Sequence, residues 1–189
     1  MDKPFDVVVI VGSLRRGSFT RRLVLHFDAL APATMKLDIV EIRDLSPYNQ
    51  DEESAAPAPW VNFRNRIRRA DAVLVATPEY NRSIPGVLKN AIDIGSRPSG
   101  ASAWAGKPAA IVSASPGALG AFGANQHLRQ SLVALNMPTL PQPEAYMAHV
   151  DKLFDASGEF VNPATREFCA RFLKAFNDWI RKLLPPTGP

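Results

Sequence analysis

Three short stretches of this chain carry residue types suited to a phosphorylated, flat ligand. The first reads Gly12-Ser13-Leu14-Arg15-Arg16-Gly17-Ser18-Phe19-Thr20. It joins an apolar run to a helical pattern, so free backbone N–H groups and the positive end of a helix dipole meet there. Ser13, Ser18 and Thr20 add hydroxyl donors and Arg15 adds a charged fork, the donor set that a phosphate monoester requires. An ordinary capped turn is the plainer reading; the density of serine and arginine at this one place favours the anion site. The second stretch runs from Thr77-Pro78-Glu79-Tyr80-Asn81 to Pro85-Gly86. A flat aromatic ligand needs apolar contact on its face and backbone donors and acceptors along its polar edge, and a rigid proline-bracketed turn supplies both. A structural turn with Tyr80 as a packing residue fits the same residues equally well. The third, Ser113-Ala114-Ser115-Pro116-Gly117-Ala118-Leu119-Gly120, lets a ligand approach the backbone closely because glycine has no side chain. A mobile connection reads the same way.

Other chemistries are poorly served. Gly100, Gly106 and Lys107 imitate a Walker loop, but the spacing is one residue too long and Pro108 takes the Ser/Thr position. Gly117, Gly120 and Gly123 are spaced GxxGxxG, so the dinucleotide fingerprint GxGxxG is absent. The cysteine phosphatase pattern CxxxxxR fails because Ala175 stands six positions after Cys169. That cysteine borders an apolar helix face and reads as core. His26, His127 and His149 show no metal-ligand spacing, so no metal site is expected. Trp60, Trp104 and Trp179 read mostly as packing residues, with a position facing a neighbouring subunit as the alternative for Trp104. The basic cluster Arg64-Asn65-Arg66-Ile67-Arg68-Arg69 reads as a solvated helix face.

The elements that must position these loops follow from hydrophobic periodicity. Phe5–Val11 is a continuous β-branched run, as in a strand buried on both faces. Ser18 caps a helix extending to about Ala31, where Pro32 stops it. Lys36–Ile42 alternates like a strand, a polar loop covers Arg43–Pro59, and Trp60, Phe63 and Ile67 fall at helical spacing. Strand Asp71–Thr77 leads into the second loop and helix Gly86–Ser96 leaves it. Arg97–Gly106 reads as flexible. Strand Lys107–Ser115 precedes the third loop, helix Ala124–Leu135 follows, and Thr139–Tyr146 is a weak edge strand marked by prolines. Pro163 opens a last helix with Phe168, Phe172, Phe176, Trp179, Ile180 and Leu183 on one face. Alternation of strand and helix favours an α/β fold: a five-stranded parallel sheet with helices on both faces. Such a chain fits the order 2-1-3-4-5, which gathers the three loops at the carboxyl ends of the strands flanking the switch point.

With 189 residues and no composition break or internal repeat, the chain reads as a single domain over 1–189. A net charge of +4 with dispersed basic residues is compatible with anionic ligands and gives no footprint for nucleic acid. No apolar run approaches the ~18–20 residues of a membrane span. Val7–Val11, with Asp2 and Asp6 nearby, is too short for a signal-peptide core, so a cytoplasmic location is expected.

Taken together, GSLRRGSFTRRL (Gly12–Leu23), TPEYNRSIPGVLKNAID (Thr77–Asp93) and SASPGALGAFGANQHLRQSL (Ser113–Leu132) resemble the NAD(P)H-dependent FMN reductases, in their chromate/quinone reductase-like branch. The resemblance implies a flavodoxin-like three-layer sandwich with bound FMN. Ser13, Arg15, Ser18, Phe19 and Thr20 would surround its phosphate. Pro78, Glu79, Tyr80 and Asn81 would line its ring, largely through backbone contacts, and Ser113, Ser115 and Gly117 would close the other side. Thr20 stands where the family commonly has Asn, and Gly123–Gln126 differs from members with Arg and Tyr there. The implied activity takes hydride from NADPH or NADH and passes electrons, by a ping-pong scheme, to small-molecule acceptors: quinones, free flavins, azo compounds or chromate-type oxyanions. The flavin carries the chemistry, so no catalytic side chain is expected. A homodimer or homotetramer is implied. A flavodoxin-like electron carrier without direct NAD(P)H turnover is the alternative, and a flavin-free regulatory protein a third.

Overall fold

The computed structural model describes residues 3–184. Inside its sheet, next to one edge, lies β1 (Phe5–Val11), whose Val7 through Val11 are buried because both faces of the strand are covered. Strands β2 (Met35–Val40) and β3 (Ala72–Thr77) flank it, β4 (Ala109–Ala114) follows β3, and β5 (Ala145–Met147) closes the far edge. The order is β2-β1-β3-β4-β5 and every pairing is parallel. This is the flavodoxin-like, doubly wound arrangement expected from the alternation of elements.

Strand periodicity divides the core in two. Val7, Val9 and Val11 point to the face covered by α1 (Phe19–Phe27) and α5 (Pro163–Leu183), where they meet Leu23, Phe27, Phe172 and Phe176. Val8 and Ile10 point to the opposite face, against α2 (Ala58–Arg69), α3 (Gly86–Gly95) and α4 (Phe122–Ala134). Every residue of β3 and β4 is buried, so these strands can only be internal. No helix among the described residues is long and apolar enough to cross a membrane.

Several boundaries differ from the sequence reading. Helix α1 ends at Phe27 rather than Ala31, and the chain turns there as Leu30 N and Ala31 N both donate to Phe27 O (3.0 and 2.8 Å). The weak edge strand expected over Thr139–Tyr146 is reduced to Ala145–Met147. Thr139 makes only an isolated bridge to Ala109, because Pro138, Pro141 and Pro143 interrupt the row of donors a ladder needs. The loop Arg43–Pro59 contains a 3-10 helix, Gln50–Ala55, capped by the Asn49 side chain accepting from Asp51 N.

Two readings are corrected outright. The Arg64–Arg69 cluster is not wholly solvated: Arg64 is 5% exposed. It lies four residues beyond Trp60 on the apolar stripe, so helical geometry turns it inward. Its Nε donates to Ile94 O at 2.9 Å. Arg66 joins Asp6 and Asp38, tying α2 to β1 and β2. Trp104 does not face a neighbouring subunit. It is 2% exposed, its ring N–H donates to Ile92 O at 2.9 Å, and it anchors a segment that reads as flexible. The indole rests on bare backbone at Gly95: a Cβ there would lie 2.4 Å from the ring. Gly95→Ala is therefore expected to lower the unfolding free energy by about 1–3 kcal/mol through overpacking. An unchanged urea midpoint at unchanged slope would contradict this contact.

Candidate active site

Parallel register brings the three loops together. Val11 is paired with Ala76 and Thr77 with Ser113, and Gly12 N donates to Ala76 O at 2.8 Å. Neighbouring strands lie about 4.8 Å apart, so the loops after β1, β3 and β4 rise side by side from the carboxyl ends of their strands. Gly12 is packed at that junction, where a Cβ would come within 3.0 Å of the Leu88 side chain and 3.4 Å of Thr77 Oγ1.

The first loop is a donor cradle. Among the described residues, none of the backbone N–H groups from Ser13 to Gly17 donates to a backbone carbonyl. Ser18 Oγ accepts from Arg21 N at 3.1 Å, capping α1 and leaving its own hydroxyl proton free. Ser13 and Thr20 are buried, Phe19 is half-buried, and Arg15 and Arg16 reach solvent. A cleft of about 330 Å³ beside this loop is lined by Ser13, Arg15, Arg16, Arg21, Glu41 and Arg43, among others. Arg21 pairs with Glu41, whereas Arg43 Nη2 donates to Leu14 O at 2.6 Å and straps the loop in place. The sequence reading missed Arg43. Its signal is position alone: it lies just past β2, and a parallel sheet sets that strand end beside the loop after β1.

The second loop is a tight reversal. Tyr80 N donates to Ser83 O at 2.9 Å and Ser83 N to Tyr80 O at 3.0 Å. Asn81 and Arg82 between them both have left-handed backbones, with φ of 51° and 65°. Asparagine tolerates that region; arginine adopts it at a cost. Thr77 Oγ1 donates to Pro78 O at 2.7 Å, fixing the entry to the turn. The Tyr80 side chain stands exposed. Ser83 Oγ lies 2.6 Å from His127 Nδ1, which joins the turn to α4.

The third loop is held from within. Ser113 is fully buried, and its hydroxyl donates to Gly120 O at 2.8 Å while accepting from Asn125 Nδ2 at 3.2 Å. Ser115 Oγ accepts from Ala121 N at 3.1 Å. Gly120 must be glycine: its φ is +56° and a Cβ would lie 2.6 Å from the Tyr146 backbone. Gly117 is exposed at the loop's tip. Nearby, burial first and then the hydrogen-bonded Glu144 push the Tyr146 phenol above its usual pKa.

The remaining reactive side chains are structural. The Cys169 thiol is buried in the core, and that burial pushes its pKa up to about 12. His26 sits between Phe154 and Phe160, with its ring nitrogens 2.8 Å from Arg22 O and 2.6 Å from Gly158 O. His149 Nδ1 lies 3.2 Å from Pro116 O. No group of three or more His, Cys, Asp or Glu among the described residues is placed to hold a metal ion.

A cradle of unpaired N–H groups, a neighbouring exposed turn and a glycine-bearing loop fit a ligand with an anionic tail and a flat head. Comparison with known proteins agrees. The chain is 53% identical over 182 residues to a quinone reductase of Pseudomonas putida, covering 96% of this chain and 97% of that one. It is 43% identical over 175 residues to a 2-hydroxy-1,4-benzoquinone reductase of Burkholderia sp., covering 93% and 96% of the two chains. Among solved structures, a flavoenzyme NAD(P)H:(acceptor) oxidoreductase from Paracoccus denitrificans superposes with a TM-score of 0.89 at 40% identity, covering 95% of this chain and 98% of that one. The family model for NADPH-dependent FMN reductases matches residues 5–152, and the chain belongs to that family.

Proposed function

We propose that this protein is an FMN-dependent NAD(P)H:quinone oxidoreductase working by a ping-pong scheme, with residues 1–189 acting as one domain. The observation that carries the reading is the row of unpaired N–H groups from Ser13 to Gly17, beside Arg15 and at the start of α1. That donor set matches a phosphate dianion in charge and hydrogen-bonding sense. Names carried by the Pseudomonas and Burkholderia relatives support a quinone as acceptor; azo compounds, free flavins and chromate-type oxyanions are further acceptors of the proposed scheme.

Each loop has a distinct task. The Ser13–Gly17 amides, the hydroxyls of Ser13, Ser18 and Thr20, and the Arg15 guanidinium hold the phosphate, with Phe19 beside them. Arg43 keeps the Leu14 carbonyl turned away from the anion by hydrogen-bonding it. Backbone groups of Pro78, Glu79, Tyr80 and Asn81 orient the ring. Ser115 and Gly117 flank its other side, and Ser113 gives that loop its shape. FMN held by these residues would supply the redox chemistry between the nicotinamide donor and the acceptor. The protein's contribution is orientation and electrostatics, so no acid or base residue is assigned. Surplus arginine at the cleft draws in anionic nicotinamide nucleotides. A nicotinamide nucleotide as donor is consistent with the cytoplasmic location proposed here.

Exposed Tyr80, Leu119 and Phe122 lie on the second and third loops and at the start of α4, around the site. Apolar side chains in that position fit the face of a homodimer or homotetramer. Light scattering is expected to return two or four times the chain mass; a monomer at micromolar concentration would contradict that assembly.

Under anaerobic conditions, NADPH or NADH is expected to bleach the bound flavin and a benzoquinone to restore its colour. Double-reciprocal plots at several quinone concentrations should be parallel, and intersecting lines would rule out the ping-pong scheme. Failure of both nucleotides to bleach the flavin would indicate an electron carrier instead. Arg15→Ala removes a charge-assisted contact of about 1.5–3 kcal/mol, so FMN affinity should fall about ten- to a hundredfold while the fold is kept. Unchanged affinity in a fluorescence titration would remove Arg15 from the phosphate site.

A further inference from the structure

Helix α4 starts without a local cap. Ala121, at its N-cap, has a left-handed backbone and no side-chain acceptor, and the first turn contains no acidic residue. The missing acceptor comes from 45 residues away: Glu79 Oε2 receives the Ala124 N–H at 3.0 Å. The Glu79 side chain is only 14% exposed, so this carboxylate is held in place rather than waving in solvent. Gly123 makes room for it. A Cβ there would lie 2.9 Å from Glu79 Oε2 and 3.1 Å from Arg82 O. The backbone of the tight turn therefore rests directly on the first turn of α4.

From this geometry we infer that the Glu79 side chain is a positioning residue: a latch that fixes the ring-binding turn to helix α4. The inference rests on the function proposed above. The turn needs such a latch because Arg82 adopts a left-handed backbone that an unrestrained arginine rarely occupies. A carboxylate at a helix N-terminus is favoured by both the free N–H groups and the dipole. The same contact ties the second loop to the third, so the two walls of the ring site move as one body. Without it, the free protein samples turns that do not accept the ring, and apparent affinity falls by the fraction of time spent in them.

The holoenzymes of three single variants and one double variant, compared with wild type, test the latch by FMN release rate, FMN dissociation constant and the visible spectrum of bound flavin. Glu79→Ala should raise the dissociation constant about tenfold or more, the scale of one hydrogen bond to a charged group, and speed release. Glu79→Gln retains an oxygen that accepts from Ala124 N, so it should remain within about threefold of wild type. Gly123→Ala pushes the carboxylate off its seat and should reproduce the Glu79→Ala behaviour, and the double variant should be no worse than the worse single one. Should Glu79→Ala fail to fold, the contrast between Glu79→Gln and Gly123→Ala decides the matter. FMN binding unaltered in both Glu79→Ala and Gly123→Ala overturns the latch, as does Glu79→Gln being as impaired as Glu79→Ala. A wild-type protein that takes up no FMN is a separate result, and it removes the underlying function.

Discussion

The site depends on one constraint: the parallel hydrogen-bond register that locks β1, β3 and β4 side by side. Loops separated by some 60 and 100 residues become neighbours only because three strands end at the same level. Full burial of β3 and β4 makes that register hard to change, since a one-residue slip would exchange the faces of every side chain. Helices on both faces then act as a clamp, with α1 and α5 on one side and α2, α3 and α4 on the other.

On this frame the charged features sort into two kinds. Arg64, Arg66 and Lys107 face inward or pair with nearby groups and hold the scaffold. Lys107 donates to Arg68 O and Ala70 O at the end of α2, and its burial lowers its pKa. Arg15, Arg16 and Arg43 instead gather at the start of α1, where unpaired N–H groups already favour an anion. In the proposed site, positive charge at the phosphate end and largely neutral backbone at the ring end would match the polarity of FMN.

Legibility in the sequence followed the range of the forces involved. Phe5–Val11 was readable to the residue, because a strand buried on both faces shows as an unbroken β-branched run. Alternation of elements pointed to a parallel sheet, and five strands fit the order observed. The donor-rich loop proposed to hold the phosphate stood out because Ser13, Arg15 and Ser18 lie close together in the chain. Tertiary contacts were not visible in this way. Arg43 reaches Leu14 from the end of another strand, Arg64 is drawn inward by its place on a helical stripe, and Trp104 is buried because Gly95 leaves a flat surface. Glu79 stood in a recognised motif, yet its bond to Ala124 follows from where α4 begins in space. The edge strand was overread because the prolines between Pro138 and Pro143 were weighed as marking an edge rather than breaking the ladder.

The most direct measurement is a crystal structure of the protein grown with FMN. The phosphate should accept hydrogen bonds from the Ser13–Gly17 amides and Arg15, with the ring lying against the Tyr80–Ser83 turn and the Ser115–Gly117 loop. A phosphate bound elsewhere, or a ring lying away from the ends of β3 and β4, would contradict the account.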